Sequence, residues 1–211
     1  MRTRIKFCGI NQQTDFAYAA ALGVDAVGLV FYPSSPRYID IEKAQKLLSK
    51  VTRIVTTVAL FMDASREFVA RVLNSVNVDY LQFHGGESPT FCTSFSLPYI
   101  KAIPMADSEE ARKMIAAHSN SADILLFDSH RAGMAGGTGV AFDWHQLPKT
   151  DVPIFIAGGL TPENVGQAIA TCHPHGVDVV SGVESVAGVK DHIKMRAFVQ
   201  AVLRADNDSS V

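Results

Sequence analysis

Two side chains able to carry a proton stand where apolar runs stop. Cys8 closes IKFC (5–8), directly before Gly9, and Asp128 closes DILLFD (123–128), directly before Ser129. A thiol and a carboxyl on opposite sides of a bound small molecule make a base and an acid. A buried cysteine is otherwise a small hydrophobe, and a strand-end aspartate otherwise caps a loop. Spacing alone leaves both readings open. Lys6, two residues before Cys8, points to the same side of an extended chain. An ammonium there needs a partner or solvent, and its charge would favour the thiolate. Arg37 follows Pro36 in YPSSPRYI, where a guanidinium could grip a carboxylate with two hydrogen bonds or form a surface ion pair. Gln82 and His84 share one face of YLQFH (80–84); they line a pocket or satisfy one another.

Two further run ends are small. PIFIA (153–157) is followed by Gly158-Gly159, and VDVVS (177–181) ends at Ser181, followed by Gly182. Glycine admits a ligand close to the backbone, and helix N-terminal amides attract phosphate. One such turn would suggest only a tight connection; two in consecutive units point to a phosphate site at Gly159, Ser181 and Gly182. Asp25, Asp79, Asp123 and Asp178 fall near strand starts and read as structural. His118, His173, His175 and His192 read as surface residues. No His/Asp/Glu set has metal-ligand spacing, no Ser–His–Asp arrangement is suggested, and the pattern calls for neither metal nor cofactor.

These residues are carried by a repeating unit of apolar strand, turn and helix. Besides the five runs quoted, AVGLVF (26–31), IVTTVALF (54–61) and YIKAI (99–103) complete a set of eight strands. Helices are expected over 14–22, ending at Gly23, and over 40–49, 65–74, 88–93, 107–118 and 161–171, with a final one over 190–203. In the 161–171 run Thr161 should cap and Pro162 take the first helical position. A short sixth helix over 142–147 is the weakest element. Nearly continuous apolar strands are those of a parallel sheet covered on both faces. Eight such units in 211 residues make an α/β chain folded as a single-domain (β/α)8 TIM barrel over 1–205, with a polar tail at 206–211. An open doubly wound sheet, usually of fewer strands, is the runner-up. In the barrel, chemistry sits at the strand C-termini, and strands one and six are three steps apart around the ring, so Cys8 and Asp128 can face each other across the mouth.

Composition narrows the partners. Hydrophobic residues make up 47% and charged ones 19%, with a formal net charge of −2. That excludes a disordered chain and gives no basic face for nucleic acid. Apolar runs such as VALFM (58–62) are too short to span a bilayer. The N-terminal MRTRIKFCGI lacks a signal peptide's apolar region. Three widely spaced cysteines make no disulfide framework, which fits a reducing cytoplasm.

The motifs together resemble the phosphoribosylanthranilate isomerase family of tryptophan biosynthesis. The resemblance runs through KFCGI (6–10), PSSPRYI (33–39), QFHGGE (82–87), LLFDS (125–129), GGTGVAFDW (136–144), FIAGGLTPENV (155–165), VDVVSGVES (177–185) and GVKD (188–191), in order and across almost the whole chain. One departure is VVSGVE, where the family often has a polar residue and serine before the glycine. The resemblance implies an Amadori rearrangement of N-(5-phosphoribosyl)anthranilate to 1-(2-carboxyphenylamino)-1-deoxyribulose 5-phosphate. Asp128 would protonate the ribose ring oxygen, opening the ring to a protonated Schiff base, and Cys8 would take the C2′ proton. The adjacent iminium acidifies that carbon, so a thiolate suffices without a metal. Arg37 would hold the anthranilate carboxylate, Gly159, Ser181 and Gly182 the phosphate, and the GGTG segment (136–139) could act as a lid. The partner is then a small phosphosugar, with the chain a monomer or homodimer. The alternatives are another phosphosugar isomerase or epimerase on the same barrel, which would need metal-binding histidines or a mouth lysine, and a non-catalytic phosphate-ligand binding protein, which would need neither Cys8 nor Asp128.

Overall fold

The computed structural model describes residues 2–49, 54–129 and 143–208. Eight parallel strands close into a barrel in chain order: β1 (Arg4–Cys8), β2 (Ala26–Val30), β3 (Thr56–Phe61), β4 (Tyr80–Phe83), β5 (Tyr99–Pro104), β6 (Ile124–Asp128), β7 (Ile154–Ile156) and β8 (Gly176–Val179). Each agrees with an expected run to within a residue or two. The open-sheet alternative fails because β1 pairs with β8, with Lys6 opposite Asp178 and Phe7 opposite Val179.

Strand parity divides the apolar residues into two layers, as a barrel requires. Ile5, Phe7, Val27, Leu29, Leu125, Phe127, Val177 and Val179 point outward into the main core beneath the helices. Ala26, Val58, Ile100, Ala102, Leu126 and Phe155 fill the interior. Gly176 permits this filling: a Cβ there would meet the Phe155 ring at 2.5 Å. Outside the barrel, Phe31, Phe61 and Phe83 stack in sequence with centroids 5.6 and 6.2 Å apart. Their burial fixes the ends of β2, β3 and β4, turning Val30, Leu60 and Gln82 towards the mouth.

The helices are α1 (Gln13–Ala21), α2 (Ile41–Leu48), α3 (Arg66–Ser75), α4 (Pro89–Thr93), α5 (Ser108–His118), α6 (Val165–Cys172) and α7 (His192–Asp208). Asp40, Ser65, Ser88 and Asp107 cap their helices by accepting from backbone amides, the expected role of such residues. Gly23 follows α1 at φ +76°, the left-handed stop that its type suits.

Four expectations need correction. The helix expected from Thr161 begins at Val165: the Thr161 hydroxyl accepts from the Glu163 amide, and the Asn164 carboxamide accepts from the Thr161 amide, holding 161–164 as a separate turn. The expected 142–147 helix is a three-residue 3-10 turn, Trp144–Gln146, with residue 142 outside the described residues. Lys190 does not open the last helix. It ends a hairpin of β9 (Glu184–Val186) and β10 (Val189–Lys190). The last helix does not stop at Leu203 but runs to Asp208, anchored where the Asp206 carboxylate accepts from the Thr3 amide and hydroxyl at 2.9 and 2.6 Å.

The end of the barrel away from the strand C-termini carries a repeated device. The residue just before each even strand bonds one residue of the preceding odd strand twice. Asp25 does this to Ile5, Asp79 to Thr57 and Asp123 to Tyr99. In each case the aspartate amide donates to that residue's carbonyl and the carboxylate accepts from its amide. His175 repeats the pattern on Ile154, accepting through Nδ1 at 3.4 Å. The structural reading of the three aspartates thus stands. No helix among the described residues is long and apolar enough to cross a membrane.

Candidate functional site

The strand C-termini enclose a pocket that gathers Cys8, Arg37, Gln82, His84, Asp128 and Asp178, walled by Val30, Leu60 and Val180. Parity explains the gathering. Lys6 and Cys8 on β1, Gln82 on β4, Asp128 on β6 and Asp178 on β8 all alternate with outward apolar neighbours. Gly28 on β2 makes the room: a Cβ there would lie 2.6 Å from Cys8 Sγ and 3.1 Å from Lys6 Nζ.

Lys6 is fully buried and donates to Asp178 Oδ2 at 2.9 Å. Burial works against its charge, but Asp178 and Cys8 outweigh this and hold the ammonium above its ordinary value. Asp178 was expected to be a bland strand-start residue. It is instead a buried pocket carboxylate, whose Oδ1 makes no hydrogen bond among the described residues. Gln82 Oε1 is likewise buried without a partner. Unsatisfied buried acceptors are costly, and both of these residues line the pocket.

The thiol behaves differently from expectation. Cys8 is 2% exposed, and burial pushes its pKa above the ordinary 9.0 despite the opposing charges of Lys6 and Lys190. Desolvation disfavours a thiolate more than one paired ammonium favours it, because Asp178 offsets Lys6. That shift favours the neutral thiol over the thiolate at neutral pH.

His84 and Asp128 are held together, His84 Nε2 lying 3.7 Å from Asp128 Oδ2. His84 Nδ1 is 3.4 Å from Gln82 Nε2. The loop carrying His84 is pinned from behind. The Glu87 carboxylate accepts from the amides of Asp63 and Gly85 at 2.8 and 3.0 Å. Lys101, fully buried, donates to Glu87 Oε2 at 2.9 Å and to the Phe83 carbonyl at 3.3 Å.

Arg37 is not a surface ion pair. It is 8% exposed, and its Nε and Nη2 donate to Glu184 Oε1 and Oε2 at 2.9 and 2.8 Å. Lys190 Nζ reaches the same Glu184 Oε1 at 3.1 Å and the Val180 carbonyl at 3.0 Å. Burial opposes the Glu184 charge, yet Arg37 and Lys190 hold its pKa below the usual carboxylate value.

Gly159, Ser181 and Gly182 meet in an adjoining cleft of about 310 Å³, with Thr161 and Lys194 at its rim. Gly158 and Gly159 lie at φ +82° and +64°, conformations that glycine adopts without strain. A Cβ on Gly182 would collide with the Leu160 carbonyl. The two turns therefore pack backbone to backbone, as a site built from main-chain amides requires. The 136–139 segment lies outside the described residues.

His118, expected on the surface, is 3% exposed, its Nδ1 3.0 Å from the Tyr99 hydroxyl. His192 is partly exposed and pairs with Asp15 at 3.0 Å. Asp178, Glu184, Lys190 and Gly28 are the site residues that sequence reasoning missed. A signal existed for Asp178: Val177 and Val179 fix its parity inward, beside Lys6 once the ring closes.

Comparison with known proteins follows the same lines. Residues 5–201 match the family model described as PRAI, N-(5′-phosphoribosyl)anthranilate isomerase. The chain is 46% identical over 203 residues to an N-(5′-phosphoribosyl)anthranilate isomerase of Nitrosococcus oceani, covering 96% of this chain and 98% of that one. It is 47% identical to one of Stenotrophomonas maltophilia, covering 97% and 95%. Among solved structures, the phosphoribosyl anthranilate isomerase of Thermotoga maritima superposes with a TM-score of 0.87 at 32% identity, covering 96% of this chain and 99% of that one. A complex of such an isomerase with reduced 1-(o-carboxyphenylamino)-1-deoxyribulose 5-phosphate superposes at 0.81 with 30% identity, covering 96% and 99%.

Proposed function

The chain belongs to the N-(5′-phosphoribosyl)anthranilate isomerase family, and on that premise we propose how its pocket rearranges N-(5-phosphoribosyl)anthranilate to 1-(2-carboxyphenylamino)-1-deoxyribulose 5-phosphate in tryptophan biosynthesis. The observation that carries the proposal is that Cys8 on β1 and Asp128 on β6 line one pocket, together with two acceptors unpaired among the described residues, Asp178 Oδ1 and Gln82 Oε1.

Asp128, as general acid, gives its proton to the ribose ring oxygen as the C1′–O bond breaks. The nitrogen lone pair forms the C1′=N bond of a protonated Schiff base. Asp178 Oδ1 then lies in a buried place suited to face that cation. The Cys8 thiol proton passes to the carboxylate that Asp128 has become, and the thiolate, as general base, removes the C2′ proton; the C2′–H electron pair moves to C1′=C2′ and the C1′=N pair returns to nitrogen, neutralising the iminium. The enolamine takes a proton at C1′ and loses one from the C2′ hydroxyl, giving the ketone. No atom is gained or lost.

The raised thiol pKa shapes this sequence. A positive iminium beside Cys8 opposes the burial that disfavours the thiolate, so the base becomes competent only after ring opening has created its target. A buried neutral thiol is also spared side reactions. Gln82 and His84 would orient the ribose hydroxyls, and Gly159, Ser181 and Gly182 would hold the phosphate through backbone amides. Arg37 would hold the anthranilate carboxylate with the guanidinium edge that Glu184 leaves open.

Positioned acid–base groups contribute about 10²–10⁴-fold each. Cys8→Ser and Asp128→Asn should each lower kcat by about that much, with KM changed far less, when conversion of the aminoaldose to the ketose is followed. Full activity in the double variant would reject both roles.

A further inference from the structure

The pocket's guanidinium is held by a hairpin whose side chains give and take no proton in the steps above. Glu184 on β9 takes two hydrogen bonds from Arg37, and Lys190 on β10 takes up one of the same carboxylate oxygens. All three groups are buried, at 8, 5 and 6% exposure. The arrangement extends beyond the charges. Gly9 leaves space for the Arg37 stem, since a Cβ there would sit 2.9 Å from Arg37 Cδ. Gly188, at the hairpin tip, leaves space for the Pro36 carbonyl at 2.6 Å. The Arg37 amide donates to the Ser35 hydroxyl at 3.2 Å, and Lys194 Nζ secures the Glu184 carbonyl at 2.8 Å.

Charge counting gives the hairpin its meaning. Arg37 and Glu184 alone form a neutral pair, and a neutral pair has little to offer a second carboxylate. Lys190 changes the sum. Protonated, it cancels Glu184, and the buried cluster of two cations and one anion keeps one unit of positive charge; burial pulls the Lys190 pKa below its ordinary value while Glu184, 3.1 Å away, pushes back, and Arg37 Nη1 makes no hydrogen bond among the described residues. A desolvated net charge attracts an anion far more strongly than an exposed one.

We infer that Glu184 and Lys190 are specificity-determining positioning residues: Glu184 fixes the plane of Arg37, and Lys190 offsets the Glu184 charge so that the cluster selects aminoaldoses whose aromatic amine bears a carboxylate. The inference rests on the reading of Arg37 as the carboxylate anchor. It assigns selection to the balance of three groups rather than to Arg37 alone.

The test compares kcat/KM for N-(5-phosphoribosyl)anthranilate with that for the otherwise identical aniline derivative, which lacks the carboxylate. Lys190→Met keeps the stem and removes the charge, and the preference for the carboxylated substrate should fall about tenfold. Adding Glu184→Gln restores the net positive charge, and the double variant should recover at least threefold of that preference. A merely structural hairpin would behave oppositely, the double variant being no better than the single. Arg37→Ala separates the two levels of the argument. If Arg37→Ala loses the preference while Lys190→Met keeps it, the charge-balance inference is wrong and the anchor stands. If Arg37→Ala also keeps it, the anchor reading itself is overturned. A double variant that recovers nothing refutes the charge-balance inference, and circular dichroism of each variant establishes that the ratios are read on folded protein.

Discussion

Replacing Lys6 by Met separates the ion pair beneath the thiol from its surroundings. Lys6 and Asp178 are fully or almost fully buried and 2.9 Å apart, and Asp178 Oδ1 is already without a partner. Removing the ammonium strands a carboxylate that, among the described residues, has no other cation at hydrogen-bond distance. Breaking a buried pair from one side costs about 3–5 kcal/mol. For a chain of this size, about 1 kcal/mol moves Tm by about 2–4 °C, so Lys6→Met should lower Tm by about 6–20 °C at neutral pH. The deficit should depend on pH in a known direction. Burial already pushes the Asp178 carboxyl above its ordinary value, and loss of Lys6 pushes it further. A carboxyl whose folded pKa lies above its unfolded one makes the folded state bind the extra proton, so its penalty grows as pH rises and fades as pH falls towards the unfolded value. The Tm gap between wild type and Lys6→Met should therefore narrow on acidification. Lys6→Met/Asp178→Leu removes both charges and should lose much less than the sum of the single variants. Thermal melts across pH provide the measurement. A single variant within 2 °C of wild type, or a double variant at the full sum, would refute the buried-pair account.

Three further outcomes follow from the geometry. Cys8 should react slowly with iodoacetamide at neutral pH and accelerate only as pH rises past the ordinary thiol value of 9.0; rapid neutral-pH labelling would contradict the raised pKa. His118 is buried, and desolvation lowers its pKa from 6.5 to about 4. The unfolded chain then gains a proton that the folded one refuses, so stability should fall by up to about 3 kcal/mol as pH drops from about 6.5 to about 4; denaturant titrations of His118→Gln should lack this share of the slope, and an unchanged slope would exclude His118 as its source. Gly28→Ala places a methyl 2.6 Å from Cys8 Sγ, displacing the base. It should cost at least tenfold in kcat, and wild-type turnover would show that the thiol's position does not matter.

Much of this site was legible from local pattern. Apolar runs placed Cys8, Gln82 and Asp128 at strand ends, and alternation gave their side. Polar residues at helix starts, such as Asp40 and Ser65, identified their caps. What escaped depends on closure or on pairing across long chain separations. Asp178 looked like Asp25, Asp79 and Asp123 because all four precede or open a strand, yet only Asp178 is turned inward and opposite Lys6 by the β1–β8 register. Glu184 and Lys190 lie in a hairpin too short for periodicity to reveal, and Lys190 therefore blended into the following helix. Thr161-Pro162 carries the usual helix-opening chemistry, and Thr161 does accept from the Glu163 amide, yet 162–164 form a turn and the regular helix starts only at Val165. His118 was misread because a helix end is usually exposed. Here Tyr99 and Ser121 fold over it, with the Tyr99 hydroxyl 2.6 Å from Ser121.

The doubled bonds made by Asp25, Asp79, Asp123 and His175 join each even strand only to its odd predecessor. The barrel floor is thus sewn into four quarters, each seam closing inside its own two-strand module. A quarter carries its own doubled floor bonds when exchanged between related barrels, and must match its neighbours along the ordinary ladder, in the interior layer and at the rim. Such an architecture lets the catalytic rim be changed one quarter at a time with the doubled floor bonds left in place.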